Sequence, residues 1–234
     1  MHIPDGFIDI PTSAAFAAIA AGGIAASIKG AKSSLDDKTA PLAGLTATFI
    51  FAVQMLNFPV AAGTSGHLIG AALATVLVGP YAATLAITIV LLLQALLFAD
   101  GGLSALGLSV FNMSFIAVWV SYGIFVLLKK ILPKTKSSTA AAAGVAALVS
   151  VPAAAAGFVL QYAIGANATF SVSAVLTAMV GTHVLIGIGE ALITMFAVGA
   201  VLASRSDLVY GYKGETASLE IRSCLLYTSD AADE

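Results

Sequence analysis

Long apolar segments, almost free of charged residues, follow one another through most of this chain. Of its 234 residues, 59% are hydrophobic and only 9% are charged, whereas a soluble domain carries about 25% charged residues. Segments this long and this apolar predict a multi-pass membrane protein. A backbone in lipid must satisfy its own hydrogen bonds, and the Ala-, Leu- and Val-rich segments show no strand-like alternation. Helices are therefore the expected spanning element.

Turn signals and polar loops divide the apolar sequence into seven predicted helices. Pro11 suits a first helical position, and Gly79-Pro80 ends the third helix, which is short for a full span. The predicted helices cover about 11–30, 41–58, 67–78, 81–99, 108–132, 139–164 and a seventh that starts between 171 and 181 and ends near 204. Segment 59–65 is expected to be a loop. We expect an all-α membrane protein, a seven-transmembrane-helix bundle over 11–205.

The basic residues predict the orientation of this bundle. All ten of them fall after the first, fifth or seventh predicted helix, and these places share one side of a seven-span protein. The positive-inside rule makes that side cytoplasmic, so the N-terminus lies outside and the C-terminus is cytoplasmic. Residues 206–234 form a polar tail that extends no motif. A truncation or a vector-derived sequence would explain that tail, and we leave it out of the fold prediction.

Other features argue against several classes of function. A net charge of −2 argues against a nucleic-acid partner. No G-x-x-x-x-G-K-[ST] pattern occurs, so the chain is not expected to hydrolyse ATP itself, and no H-E-x-x-H motif appears. The single cysteine, Cys224, cannot form an internal disulfide. No basic region precedes the first apolar run, so we expect no cleavable signal peptide.

The first ten residues are interpreted as a metal-binding amino-terminal plug. Met1 offers its α-amine, and His2 offers its backbone amide and its imidazole. Together these three nitrogens close two fused chelate rings around one divalent ion, and they occupy three corners of a square if the amide is deprotonated. A nitrogen-rich tetragonal site favours Ni(II) or Cu(II). One further imidazole would complete the plane.

His67 is the candidate for this fourth position, because the predicted topology puts it on the same outer side as the chain start. Ten residues reach about 30 Å at most, which is enough to fold back into the mouth of the bundle. A lone histidine at this position is more often an interfacial residue bonded to a carbonyl. Thr64 and Ser65 could support a ligand from outside the coordination sphere. Three outer carboxylates could draw cations to the mouth, although surface solvation explains each of them as well: Asp5, Asp9 and Asp100.

Helix 7 carries two ionisable residues, His183 and Glu190, seven positions apart and therefore on one face. Ionisable groups within a span are costly and usually functional. For Glu190 we favour a structural role, tying helices together through a neighbour such as Gln54, Gln94 or Asn112. His183 could lie near the plug or take part in helix packing.

These motifs resemble the nickel/cobalt-specific substrate-binding membrane subunits (S components) of energy-coupling-factor transporters, the CbiM/NikM family, and especially the nickel type with seven helices. The resemblance covers roughly residues 1–205. It rests on three stretches, namely Met1-His2-Ile3-Pro4-Asp5-Gly6-Phe7, Gly63-Thr64-Ser65-Gly66-His67, and Gly181-Thr182-His183 through Gly187-Ile188-Gly189-Glu190-Ala191.

The resemblance implies a metal held by the Met1 amine, the His2 amide and imidazole, and the His67 imidazole, in agreement with the prediction from the residues. It implies capture of Ni²⁺ as a transported substrate outside a bacterial or archaeal cytoplasmic membrane, and ATP-driven import. It also implies three kinds of partner: a transmembrane coupling subunit, a pair of cytoplasmic ATPases and a small accessory membrane component.

Three alternatives stay open at the level of sequence. The nearest is Co²⁺ uptake for cobalamin synthesis, since the ligand types do not separate the two metals decisively. An intramembrane metalloenzyme would use His67, His183 and Glu190 with an open coordination position and a water. A passive metal channel would conduct without any ATPase partner.

Overall fold

The computed structural model describes residues 1–32, 35, 39–60 and 64–212, with only the backbone for Phe58, Pro59 and Thr64. The helices are, in order, α1 (Ile10–Ala31), α2 (Thr39–Gln54), α3 (Ala71–Val78), α4 (Pro80–Leu97), α5 (Leu106–Val110), α6 (Ala117–Ile131), α7 (Lys136–Gly165) and α8 (Val172–Arg205). A π-helical turn, Phe111–Ile116, joins α5 and α6 into one segment, and two 3₁₀ turns, Ser206–Leu208 and Tyr210–Tyr212, follow α8.

These helices form seven segments, as the sequence predicts. Five of the segments are long and apolar enough to cross a membrane, and α2 is a shorter apolar helix. The remaining segment, α3, has 8 residues, or about 12 Å of helix, and its residues are all buried. The prediction of a helical multi-pass membrane protein is therefore confirmed.

The stretch around the third helix differs from the prediction. α2 ends at Gln54 rather than near residue 58, because Pro59 disfavours helical backbone in the residue before it. The expected loop contains an antiparallel hairpin of two three-residue strands, β1 (Phe58–Val60) and β2 (Thr64–Gly66). Gly70, with φ +76°, then sets the start of α3. His67 thus precedes the helix, in an extended segment, rather than opening it.

Side-chain caps define the ends of the helices at the face of the bundle where the chain begins. The Asp9 carboxylate accepts a hydrogen bond from the Thr12 N–H at 2.8 Å and caps α1. The Ser171 hydroxyl accepts from the Ala174 N–H at 3.2 Å and caps α8. A capping residue satisfies one of the backbone donors that a helix leaves free. The cap at Ser171 fixes the helix start that the sequence left open.

The two ends of the bundle differ in charge. One end carries the carboxyl ends of α1, α6 and α8 and the beginning of α7, and with them all the basic residues in the described ranges: Lys29, Lys32, Lys129, Lys130, Lys134, Lys136 and Arg205. The turn after α8 covers this end, where the Tyr212 ring lies 5.5 Å from the Lys129 ammonium. The opposite end carries the chain start and the α7–α8 turn.

Candidate metal site

The amino-terminal segment, residues 1–9, folds back onto the bundle and is bonded along its length. Towards its carboxyl end, the Phe7 carbonyl accepts the Asn167 N–H at 3.1 Å, and the Asp9 N–H donates to the Gly165 carbonyl at 2.7 Å. The Phe7 ring is buried, with its centroid 5.2 Å from that of Tyr162. This half of the segment is thus held by the turn between α7 and α8.

The front half is held by the loop between α4 and α5. The Gly102 N–H donates to the Ile3 carbonyl at 2.8 Å. The Asp5 carboxylate accepts two hydrogen bonds from Ser104, at 2.8 Å from its N–H and 2.5 Å from its hydroxyl, and these lower the pKa of Asp5. A Cβ on Gly102 would lie 2.4 Å from the Asp5 nitrogen, so only glycine allows this approach. Asp5 therefore holds the amino-terminal segment against the loop between α4 and α5.

These contacts bury the beginning of the chain. Met1 is 1% exposed and His2 is 5% exposed. Burial lowers the pKa of the Met1 amine from 8.0 to about 4, against the opposing charge of Asp100. Burial, followed by the charge of the amine, lowers the pKa of the His2 imidazole to about 3. At neutral pH both groups are uncharged and hold a free lone pair, which is the form that binds a metal.

The structure brings His67 to this buried chain start. Its ring is stacked on that of His2, with 4.7 Å between centroids and 26° between planes, and it is fully buried. Its Nδ1 lies 2.8 Å from the Leu68 carbonyl oxygen, which can only accept, so Nδ1 carries the proton. Nε2 is left as a lone-pair nitrogen, buried and without a hydrogen-bond partner among the described residues. Burial, then the nearby amine and His2, lower the pKa of His67 well below its usual value.

Two side chains hold the extended segment that presents His67. The Glu190 carboxylate of α8 accepts the Ile69 N–H at 2.6 Å and the Gly70 N–H at 2.9 Å. The Gln54 amide of α2 donates to the Ile69 carbonyl at 2.8 Å. Glu190 thus has the structural role that the sequence favoured. Its partners, however, are backbone amides at the start of α3 rather than the side chains that we expected.

The Asp100 carboxylate lies behind His2. Its Oδ2 is 3.5 Å from the His2 Nε2 and accepts a hydrogen bond from the Asn57 amide at 3.1 Å. Burial raises the pKa of Asp100, while the charge of the amine and the Asn57 bond oppose this shift. A carboxylate on the far nitrogen of a ligating histidine fixes the orientation of the ring. Asp100 can therefore orient the His2 ring. From the sequence we expected only that it could draw cations to the mouth of the bundle.

The remaining candidate residues are not all brought to this point. His183 is fully buried, and its Nδ1 lies 2.6 Å from the Met179 carbonyl oxygen. Asn112 donates to the Gln161 side chain at 2.7 Å, in a separate contact between the π-helical turn and α7. The Ser65 hydroxyl is buried and unpartnered within the described ranges. The Thr64 side chain lies outside the described part of the chain.

Sequence reasoning missed the glycines that make room for the chain start. Gly101, at φ +98°, approaches His2 so closely that a Cβ there would lie 3.1 Å from the His2 Cβ. The sequence prediction gave Gly101 and Gly102 no role beyond separating the predicted helices 81–99 and 108–132. Consecutive glycines after a helix also indicate that two backbones approach closely. On that interpretation, the loop between α4 and α5 would have been predicted to line the site.

Within residues 1–32, 35, 39–60 and 64–212, no three His, Cys, Asp or Glu side chains come together to hold a metal ion. A site built from side chains alone is therefore not present in that part of the chain. This finding contradicts the metalloenzyme arrangement of His67, His183 and Glu190, whose carboxylate is already occupied by two N–H groups. A metal at His2 and His67 needs a further ligand that is not a side chain, and the Met1 amine is such a group.

The sequence and the fold match known metal transport proteins. The NikMN protein of Archaeoglobus fulgidus, inferred to be a fused nickel transport protein, is 35% identical over 209 residues, which cover 89% of this chain and 68% of that protein. The cobalt transport protein CbiM of Desulforamulus reducens is 30% identical over 225 residues, 93% of this chain and 88% of that one. The crystal structure of a truncated transition metal transporter superposes with a TM-score of 0.79 at 33% identity, over 87% of this chain and 99% of that chain.

The family described as the cobalt uptake substrate-specific transmembrane region, CbiM, matches residues 2–208. The relatives described above are named as nickel and cobalt transport proteins, and metal transport is what these names share. The match covers nearly all of the described chain, including the amino-terminal segment from His2 onward. This chain therefore belongs to the CbiM family of substrate-specific transmembrane components of metal uptake.

Proposed function

We propose that this chain captures Ni²⁺ at the outer face of the cytoplasmic membrane and delivers it for ATP-driven import. The observation that carries the proposal is the meeting of three neutral, buried nitrogen donors in one place: the amine of Met1, the imidazole of His2 and the unpartnered Nε2 of His67. Uncharged nitrogen donors suit a transition metal ion far better than Mg²⁺ or Ca²⁺, which prefer oxygen.

The chelate rings decide which atoms bind. The Met1 amine and the His2 amide nitrogen close a five-membered ring, and the amide nitrogen and the His2 Nδ1 close a six-membered ring. Nδ1 is therefore the ligating atom of His2. This choice leaves Nε2 facing the Asp100 carboxylate at 3.5 Å, where it can donate its proton. His67 supplies the fourth nitrogen.

A deprotonated amide in a square of four nitrogens favours Ni²⁺ over Co²⁺, because affinity rises from cobalt to nickel and the geometry suits Ni(II). Uptake of Co²⁺ is the alternative, supported by the relatives named as cobalt transport proteins. A competition titration of the purified protein with both ions separates the two. A preference for Co²⁺ at equal concentration would reverse the assignment.

The charge difference between the two ends supports an orientation with the basic end in the cytoplasm. The amino-terminal segment then faces outward. The chain contains no ATP-binding motif, so we assign hydrolysis to a pair of cytoplasmic ATPases. A transmembrane coupling subunit would link them to this chain, together with a small accessory membrane component.

A second methionine placed before Met1 tests the proposal. The added residue keeps a methionine at the chain start but converts the Met1 amine into an amide, and a site that is 1% exposed at this residue has no room for it. We expect the affinity for Ni²⁺ to fall by more than the roughly 100-fold that loss of a supporting partner can cost.

The matched control is one methionine added after Glu234, which should leave the affinity unchanged. Circular dichroism and thermal unfolding in detergent establish that both extended proteins keep the fold. Nickel binding by the amino-terminally extended protein at the level of the parent would show that the amine is not a ligand.

A further inference from the structure

His183 is a buried imidazole whose metal-binding nitrogen has no partner. The side chain is 0% exposed. Its Nδ1 donates to the Met179 carbonyl at 2.6 Å, one helical turn earlier in α8, so Nε2 carries the lone pair. Nε2 is buried and makes no hydrogen bond to any described residue. A buried acceptor without a partner is unfavourable, so an apolar residue would serve packing better at this position.

The position of His183 along α8 relates it to His67. Glu190 lies seven residues later on the same face and bonds to Ile69, two residues after His67. His183 is about 10 Å from Glu190 along the helix axis, towards the end of α8 where the amino-terminal segment docks. His183 therefore lies on α8 between the end where the amino-terminal segment docks and the contact with Ile69.

His183 is nevertheless not a further ligand of the captured ion. No three His, Cys, Asp or Glu side chains converge in the described ranges, so His2, His67 and His183 do not share one ion. His183 also lies eleven residues, or about 16 Å, past the first residue of α8, inside the membrane-spanning part. It is a separate nitrogen within the span of α8.

We infer that His183 is a transit ligand, whose Nε2 receives the metal ion when it leaves the amino-terminal nitrogens. The inference rests on the proposed function. The step is a ligand exchange at one ion of unchanged oxidation state. The bond from the ion to the His2 amide nitrogen breaks and the bond to Nε2 forms. The released amide takes a proton from a water molecule, which leaves as hydroxide. The Nδ1–H bond to Met179 fixes the tautomer that this step requires.

Two substitutions separate a ligand role from a packing role. In His183→Asn, the side-chain N–H₂ takes the place of Nδ1 and can still donate to the Met179 carbonyl, but nothing replaces Nε2. In His183→Gln, an amide group reaches the position of Nε2 without a strong nitrogen donor. Thr182→Ala, at the neighbouring position, is the matched control.

The measurements are the equilibrium affinity of the purified proteins for Ni²⁺ and the uptake of radioactive nickel by cells that also express the coupling and ATPase subunits. For both His183 variants we expect an affinity within about threefold of the parent and a maximal uptake rate lower by at least tenfold, with KM unchanged. Thr182→Ala should match the parent in both assays.

Uptake at the parental rate in His183→Asn would overturn the inference, and so would a loss of equilibrium affinity as large as the loss of uptake. If His183→Asn does not accumulate in the membrane, His183→Gln decides by the same criteria, with uptake normalised to the protein present. The protein with the second amino-terminal methionine separates the two proposals. If it binds nickel like the parent, the proposed function fails whatever the His183 variants do.

Discussion

Acidification tests whether the amine and imidazoles of the site are uncharged before the ion arrives. An exposed amine has a pKa of 8.0, and burial lowers that of Met1 to about 4. Between pH 8 and pH 6 the neutral fraction of an exposed amine falls about 50-fold, whereas that of an amine with a pKa of about 4 stays near 1. Only the proton of the His2 amide then remains to be released when nickel binds.

The expected pH dependence follows from this count of protons. Release of one proton changes the affinity tenfold per pH unit, so the dissociation constant should rise about 100-fold, or about 2.7 kcal/mol, between pH 8 and pH 6. If the amine and the His2 imidazole carried their ordinary pKa values, their protonation would add roughly 200-fold, for a total of about 10⁴-fold.

Calorimetric titration of Ni²⁺ at several pH values, in buffers of different ionisation enthalpy, measures both the affinity and the protons released. A rise of about 10⁴-fold across this range, or release of two or more protons per ion at pH 7, would refute the argument from burial.

Docking of the amino-terminal segment in the metal-free protein depends on pH in the same direction. A base whose pKa is lowered by docking contributes its full stability above its free pKa, here 8.0, and loses it progressively as the pH falls towards about 4. The affinity curve should therefore steepen in acid, once the segment undocks. The hydrogen-exchange protection factors of the backbone N–H groups between residues 2 and 9 should fall over the same interval, once the rates are corrected for the intrinsic pH dependence of exchange.

Three substitutions test the surroundings of the site. Glu190→Ala leaves two buried N–H groups without an acceptor, and we expect a loss of about 2–4 kcal/mol in stability, with weaker nickel binding. Gly101→Ala places a Cβ 3.1 Å from the His2 Cβ at φ +98°, and we expect roughly tenfold weaker binding. Phe7→Ala removes a buried ring from the amino-terminal segment and should cost about 3 kcal/mol in docking.

Matched controls for these variants are available in the chain. Gly123→Ala introduces a Cβ with nothing within 4 Å, and Phe196→Ala removes a ring that is 69% exposed, so both should bind nickel like the parent. Thermal unfolding and nickel titration in detergent provide the measurements. Parental behaviour of Glu190→Ala in both would show that the carboxylate does not hold the His67 segment.

The sequence predicted the helices well because the lipid constraint is simple. Seven apolar segments separated by turn signals gave the number of helices, and the segregation of basic residues gave two unlike ends. Met1 and His2 could be proposed as ligands from the sequence because neighbouring donors in one short segment need no fold to bring them together. His67 could be added because topology alone placed it on the same side.

The details that set the geometry of the site were not predictable from local sequence. The partners of Glu190 are backbone amides 120 and 121 residues away, and no periodicity indicates such a contact. The predicted helix start at residue 67 was wrong, because hydropathy alone does not divide an apolar run into extended and helical parts. Gly70 and Pro59 decide that division through backbone conformation. The role of Asp100 depends on the fold-back of the chain start, which hydropathy does not predict.

The short third helix has a consequence for the synthesis of this protein. An extended stretch inside a membrane protein needs outside partners for its backbone, and for Ile69 and Gly70 that partner is a carboxylate in the last helix. At roughly 5–20 residues per second, a ribosome takes about 6–24 s to reach Glu190 after it has made Ile69. During this interval the N–H groups of Ile69 and Gly70 lack the carboxylate that accepts them, so the segment before α3 cannot yet adopt its final conformation. The pocket is thus completed only once α8 has been made. A nascent chain halted before α8 would leave His67 unpositioned.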